Sequence, residues 1–141
     1  ILGFPGETEE DVAELERFLT RARLDVVGVF GYSDEDGTEG ELLTDKVDPE
    51  VIAERVERVR SLVEELSAQR AEERVGEVVE VLVEEIDDET GEISGRAAHQ
   101  GPDVDGVTLL TGAVEELEVG TIVTAEVIGT EGIDLVGRVS A

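Results

Sequence analysis

Cysteine is absent from the 141 residues, which excludes a disulfide framework and a thiolate metal site, so any iron–sulfur chemistry must come from residues outside this chain. Histidine occurs once, as His99, in a segment flanked by glycine and proline with no second imidazole or thiol. It reads as a solvated loop residue rather than a ligand. Aromatic residues are scarce and none lies beyond Tyr32, so the second half offers no ring on which a nucleobase could stack. Basic residues number only 11 against 37 acidic ones, a net charge of −26 whose field repels a phosphate backbone. Nucleic acid is therefore an unfavoured partner and a basic protein a favoured one, although high acidity also serves solubility in general. No apolar run approaches the ~18 residues that span a bilayer, and no positively charged leader precedes an apolar core. A cytoplasmic protein with no membrane partner is expected.

What is present is periodic. Hydrophobic residues make up 40% of the chain and recur in regular patterns, as a folded chain requires. Ile1-Leu2-Gly3-Phe4 reads as the end of a buried strand whose beginning is missing, so the sequence is expected to be a fragment. Thr8-Glu9-Glu10-Asp11 has capping-box spacing, and Val12, Leu15, Phe18, Leu19 and Ala22 then mark one helical face up to about Arg23. Asp25 to Phe30 is short, β-branched and nearly continuous in apolar character, as a strand buried on both faces would be. Tyr32 to Gly40 is a loop, with Tyr32 as its anchor. Asp48-Pro49 opens a second helix whose stripe is Ile52, Val56, Val59, Val63 and Leu66.

Residues 1–70 thus alternate strand, helix, strand, helix, the order of a parallel α/β barrel, but two such units leave open edges and too small a core. They are expected to be a piece of a larger barrel. Beyond Arg74 the pattern changes to short β-type runs at 79–84, 92–97, 104–110, 121–128 and 133–139, which suggests a closed five-stranded barrel of OB-like kind in residues 71–141. The first part holds 19 acidic and 8 basic residues and the second 18 and 3, so the small barrel is the more one-signed.

Gly3-Phe4-Pro5-Gly6-Glu7-Thr8 lies between a strand end and a helix N-terminus, the face where α/β barrels bind ligands. No Gly-Lys-Ser or Gly-Lys-Thr follows, which excludes a P-loop, and the dinucleotide fingerprint fails on spacing. Physics alone leaves a structural turn and a ligand loop equally open. Asp34-Glu35-Asp36-Gly37 and Asp103-Val104-Asp105-Gly106 begin like calcium loops but lack glycine at the sixth position. Glu84, Glu85, Asp87, Asp88, Glu89 and Glu92 surround the turn between the first two barrel strands, either as a solvated hairpin tip or as a patch that attracts a Lys- and Arg-rich protein.

The run from Ile1 to Asp11 resembles a late strand and loop of the radical-SAM methylthiotransferases, and Val27-Gly28-Val29-Phe30 with Tyr32 to Thr38 is similar to the next strand and loop in the branch that modifies a ribosomal protein. Val104-Asp105-Gly106, Gly120-Thr121-Ile122-Val123 and Asp134-Leu135-Val136-Gly137 resemble a TRAM domain. The resemblance implies a fold of α/β then all-β class, with the C-terminal part of a radical-SAM barrel at 1–70 and a TRAM barrel at 71–141. It implies methylthiolation of the β-carbon of an aspartate in ribosomal protein uS12, with S-adenosylmethionine and two 4Fe–4S clusters that this segment does not bind. The tRNA-modifying relatives and a non-enzymatic binding module are the alternatives. The same resemblance implies cofactor contacts at Gly3, Phe4, Pro5, Gly6, Glu7, Val29 and Phe30, and substrate docking at Glu84, Glu85, Asp87, Asp88, Glu89 and Asp134, with no catalytic side chain and no metal ligand in this segment.

Overall fold

The computed structural model describes residues 1–140. Two compact units divide within a long helix, at Ile1–Leu66 and Ser67–Ala141.

In the first unit, helix α1 runs over Glu9–Ala22. It begins with a capping box in which the Asp11 amide donates to Thr8 Oγ1 and the Asp11 carboxylate accepts from the Thr8 amide. Helix α2, Pro49–Glu73, starts at a proline whose missing N–H costs nothing there. Val12 and Leu19 of α1 and Val59 and Val63 of α2 close over Leu2, and Leu15, Val27, Val29, Val56 and Leu66 complete that core.

Three expectations fail here. The runs at 1–4 and 25–30 do not form strands; one parallel bridge sets Leu2 opposite Gly31, the residue just after the second run. Gly3 turns into left-handed backbone at φ +82° immediately after the bridge, and Pro5 has no N–H to extend a ladder. Nor is 25–30 buried on both faces, since Gly28 is exposed and Phe30 is 66% exposed. Phe18, placed on the covered face of α1, is 59% exposed. The stripe is narrower than expected: at ~100° per residue Phe18 lies roughly 90° round from the centre set by Val12, Leu15 and Leu19.

The second unit is a closed barrel of five strands: β1 Val78–Ile86, β2 Ile93–Ala97, β3 Thr108–Gly112, β4 Ile122–Glu131 and β5 Asp134–Val139. Their order around the barrel is β1-β2-β3-β5-β4, antiparallel except for β3 against β5. Period-two alternation puts Val81, Val83, Ile93, Ala97, Leu110 and Ala125 inside. Val127 and Leu135 pack with Ala71 from the last turn of α2. The run at 104–107 is loop rather than strand, because Asp103 and Gly106 both take left-handed backbone, and Val104 is 70% exposed. Two bulges interrupt the ladders, one in β1 between Val83 and Glu85 and one in β4 between Val127 and Gly129.

Candidate functional site

Residues 3–7 form a tight loop held from several sides. The Leu2 amide donates to the Phe30 carbonyl at 2.8 Å and the Tyr32 amide to the Leu2 carbonyl at 2.7 Å, so the loop leaves directly from the bridge. The Glu7 amide closes the turn on the Phe4 carbonyl at 2.9 Å, and the Gly6 amide donates to the Asp45 carbonyl at 2.7 Å. The two glycines serve different ends. A Cβ on Gly3 would stand 2.3 Å from Cγ1 of Ile52, so that glycine admits α2, whereas Gly6, at φ +86°, opens on free space.

The extended segments are two-faced. Leu2, Val27 and Val29 join the core with α1 and α2. Ile1, Gly28 and Phe30 are exposed, and a Cβ on Gly28 would lie 2.9 Å from the Phe30 ring, which places that ring across Gly28. Of the residues expected to wall a cofactor, Phe4 and Phe30 are thus accessible, Pro5 and Gly6 sit on the loop, and Val29 packs among the helices. Phe4 also meets Tyr32 edge to face, with centroids 5.2 Å apart. A cleft of about 550 Å³ bordered by Gly31, Tyr32, Asp34, Lys46, Ile52 and Val56 takes in Gly3 alone of that set. Tyr32 anchors its loop by donating to Asp34 at 2.7 Å, and Lys46 also pairs with Asp34. Lys46 and Tyr32 together hold the Asp34 carboxyl below its usual range.

Glu7 is taken up within the protein. Its Oε1 accepts from the Gly3 amide at 2.9 Å and from Arg55 Nη1 at 2.8 Å. Arg55 escaped the sequence reading, although a signal was there: it stands three residues after Ile52 and four before Val59, inside the apolar stripe of α2, where a cation needs a buried partner.

In the barrel, the β1 bulge leaves Glu84 unpaired in the ladder, with Val83 opposite Gly95 and Glu85 opposite Ser94. Arg96 Nε and Nη2 both donate to the Glu84 carboxylate at 2.7 Å, a bidentate pair. Beside it lies a groove of about 520 Å³ lined by Glu84, Glu85, Ser94, Arg96, Asp103, Val104 and Val107. Asp87 is occupied by its own turn, accepting from the Glu89 and Thr90 amides at 2.8 Å. Asp134 accepts from the Val107 amide at 2.7 Å and latches the loop before β3 to β5. Asp88 and Glu89 are exposed at the hairpin tip. Asp103, Val104 and Val107 were not expected at this groove, since the sequence does not show that the loop before β3 folds onto β1 and β2. Each base of the barrel is matched to an acid: Arg74 to Glu77, Arg96 to Glu84 and Arg138 to Glu126. The remaining carboxylates leave the field strongly negative. His99 is half-buried between β2 and β3 rather than fully solvated. Among the described residues no cluster of three or more His, Asp or Glu could hold a metal ion, and no helix is long and apolar enough to cross a membrane.

The Glu84–Arg96 pair makes a pH dependence testable. Arg96 donates to Glu84 and lowers its pKa from the usual 4.5. A depressed folded-state pKa contributes stability above the unfolded value, and that contribution is lost as pH falls through the folded value. The melting-midpoint difference between the parent protein and Glu84→Gln is therefore expected at pH 7 and should shrink progressively in acid, as the pH falls through the depressed folded value. A difference that is unchanged at acid pH would refute the pairing.

Residues 75–139 match the TRAM domain family. Along nearly its whole length the chain is similar to proteins named ribosomal protein uS12 methylthiotransferase RimO. It is 64% identical over 138 residues to that of Streptomyces avermitilis, covering 98% of this chain and 28% of the relative. Identity is 65% over 143 residues to that of Kineococcus radiotolerans, covering 98% and 29%, and 52% over 151 residues to that of Salinispora arenicola, covering 100% and 29%. The chain, a TRAM barrel preceded by a two-helix unit and spanning little more than a quarter of those relatives, belongs to the RimO family.

Proposed function

We propose that this chain is part of an enzyme that methylthiolates the β-carbon of an aspartate in ribosomal protein uS12, with residues 1–70 contributing to a radical-SAM barrel and residues 71–141 docking the substrate. The observation that carries the reading is the close similarity of nearly the whole chain to proteins named as uS12 methylthiotransferases. Two physical features support it. The first unit covers its extended segments with helices on one face and leaves Phe30, Gly28 and Ile1 bare on the other, as a barrel segment does when that face lines an interior. The barrel unit presents a surplus of carboxylates and pairs Arg70, Arg74, Arg96 and Arg138 internally, which suits a cationic polypeptide.

S-adenosylmethionine fits the first feature. Phe30 and Phe4 offer apolar surface to an adenine, and the Gly6 turn leaves room for close backbone approach. When bound, it supplies both the radical and the methyl group. Gly3 to Glu7 shape the wall, with Val29 behind it. The two 4Fe–4S clusters do not fit the residues here, which include no cysteine, and belong to cysteines elsewhere in the protein. Glu85, Asp88 and Glu89 are the carboxylates available for docking, with Glu84, Asp87 and Asp134 setting their framework.

The test is equilibrium binding of the full-length protein to uS12 and to a tRNA stem-loop at matched ionic strength. Affinity for uS12 is expected to exceed that for RNA and to fall by about tenfold or more between low and physiological salt, as exposed charges are screened. Equal or tighter binding to the stem-loop would assign the substrate to RNA instead.

A further inference from the structure

We infer that Arg55 is a positioning residue for the cofactor wall: through Glu7 it fixes the course of residues 3–7, and so sets the affinity for S-adenosylmethionine without touching it. The inference rests on the reading of that loop as part of the cofactor pocket.

The geometry converges on one side chain. Arg55 is 8% exposed in the second turn of α2, forty-eight residues along the chain from Glu7. Its Nη1 donates to Glu7 Oε1 at 2.8 Å and reaches the Glu7 backbone carbonyl at 3.3 Å, so a single nitrogen grips side chain and main chain together. Glu7 Oε1 in turn accepts from the Gly3 amide at 2.9 Å. One carboxylate oxygen thus joins the first residue of the loop, its last residue and the helix beneath. Arg55 Nε makes no hydrogen bond and stands 3.6 Å from Glu9 Oε2, so the guanidinium depends on Glu7 for its principal buried contact.

The loop needs this clamp. Gly3 and Gly6 both hold left-handed backbone, a conformation that glycine enters and leaves freely. The turn between them is closed by the Glu7 amide on the Phe4 carbonyl, and Phe4 lies within it. Released from Arg55, Glu7 loses the charge that balances its half-buried carboxylate and the Gly3 amide loses its fixed acceptor. Phe4 and the Gly6 backbone then lose their setting. Glu7 therefore acts on the loop from behind, where the resemblance implied a cofactor contact.

The experiment compares full-length, cluster-reconstituted protein with Arg55→Gln, Arg55→Lys and Phe4→Ala, measuring S-adenosylmethionine dissociation constants, amide exchange of the peptide containing Gly3, and melting midpoints. Arg55→Gln is expected to weaken binding by about 10- to 100-fold, the scale of a misplacement near 1 Å, and to raise Gly3 exchange. Arg55→Lys keeps the charge but one contact at a time, so it should fold and recover part of the affinity and of the protection. Phe4→Ala reports on the pocket reading alone. If Phe4→Ala weakens binding while both Arg55 variants bind like the parent, the role of Arg55 is refuted and the pocket stands. If neither Phe4→Ala nor the Arg55 variants change the constant, the pocket reading falls and takes the inference with it. Should Arg55→Gln fail to fold, Arg55→Lys decides: parental affinity with faster Gly3 exchange overturns the inference, and parallel changes in both support it.

Discussion

Gly95→Ala is expected to destabilise the TRAM barrel by about 2–3 kcal/mol, roughly 10–20 °C in midpoint for a unit of this size, and to disorganise the acidic groove with it. The added Cβ would stand 2.1 Å from the Leu82 carbonyl oxygen and 2.9 Å from its carbon. Those atoms belong to the backbone of the neighbouring strand, so relief requires parting β1 from β2 and not merely turning a side chain. On the proposed docking role the place matters for function too, because Gly95 faces Val83 at the edge of the bulge that delivers Glu84 to Arg96. The second bulge supplies an internal control. Gly129 follows the bulge in β4, and a Cβ there would meet nothing within 4 Å. Gly129→Ala should therefore change stability by less than about 0.5 kcal/mol. Calorimetry of both variants checks the pair of expectations, and equal melting of the two would show that the close approach at Gly95 is not what fixes that residue.

The elements most legible in the sequence were those whose own chemistry is sufficient. Thr8 and Asp11 announce a helix start, and Pro49 with the Ile52 to Leu66 stripe announces α2, because capping and periodicity act within a few residues. Val79, Val81 and Val83 announced β1 for the same reason. The stretch 104–107 misled because Val104 and Val107 carry β propensity, while the backbone is decided by left-handed Asp103 and Gly106 and by the Asp134 latch from β5. Phe18 misled because an apolar side chain three residues from Leu15 satisfies the spacing yet falls outside the narrow stripe that α2 covers. At the candidate site, the loop was legible as a turn between glycines, but its clamp was not. Arg55 meets Glu7 across forty-eight residues, and no local pattern links a helix-interior arginine to a first-turn glutamate until the chain has folded. The bulge at Glu84 was hidden likewise, since one extra residue in a strand leaves the alternation of its valines intact on either side.

Reversing the three unengaged hairpin carboxylates, as Glu85→Lys, Asp88→Lys and Glu89→Lys together, is expected to slow association of the full-length protein with uS12 by about 100-fold at low salt. Glu84, Asp87 and Asp134 are left in place because they hold Arg96, the turn and the loop latch, and altering them would confound docking with folding. Steering acts before contact, so the change should fall on the association rate, leave dissociation nearly as it was, and shrink as salt rises toward a Debye length of ~8 Å. Net charge moves by six units in this variant, and a general loss of negative field would slow association as well. Glu115→Lys, Glu116→Lys and Glu118→Lys impose the same change on exposed residues of the segment between β3 and β4. A patch that orients the substrate predicts a much smaller effect there, measured by stopped-flow at matched ionic strength. Equal slowing by the two triple variants would make the acidity of the whole barrel, and not the groove beside Glu84 and Arg96, the attractant. Unchanged association in both would remove electrostatic docking from the function altogether.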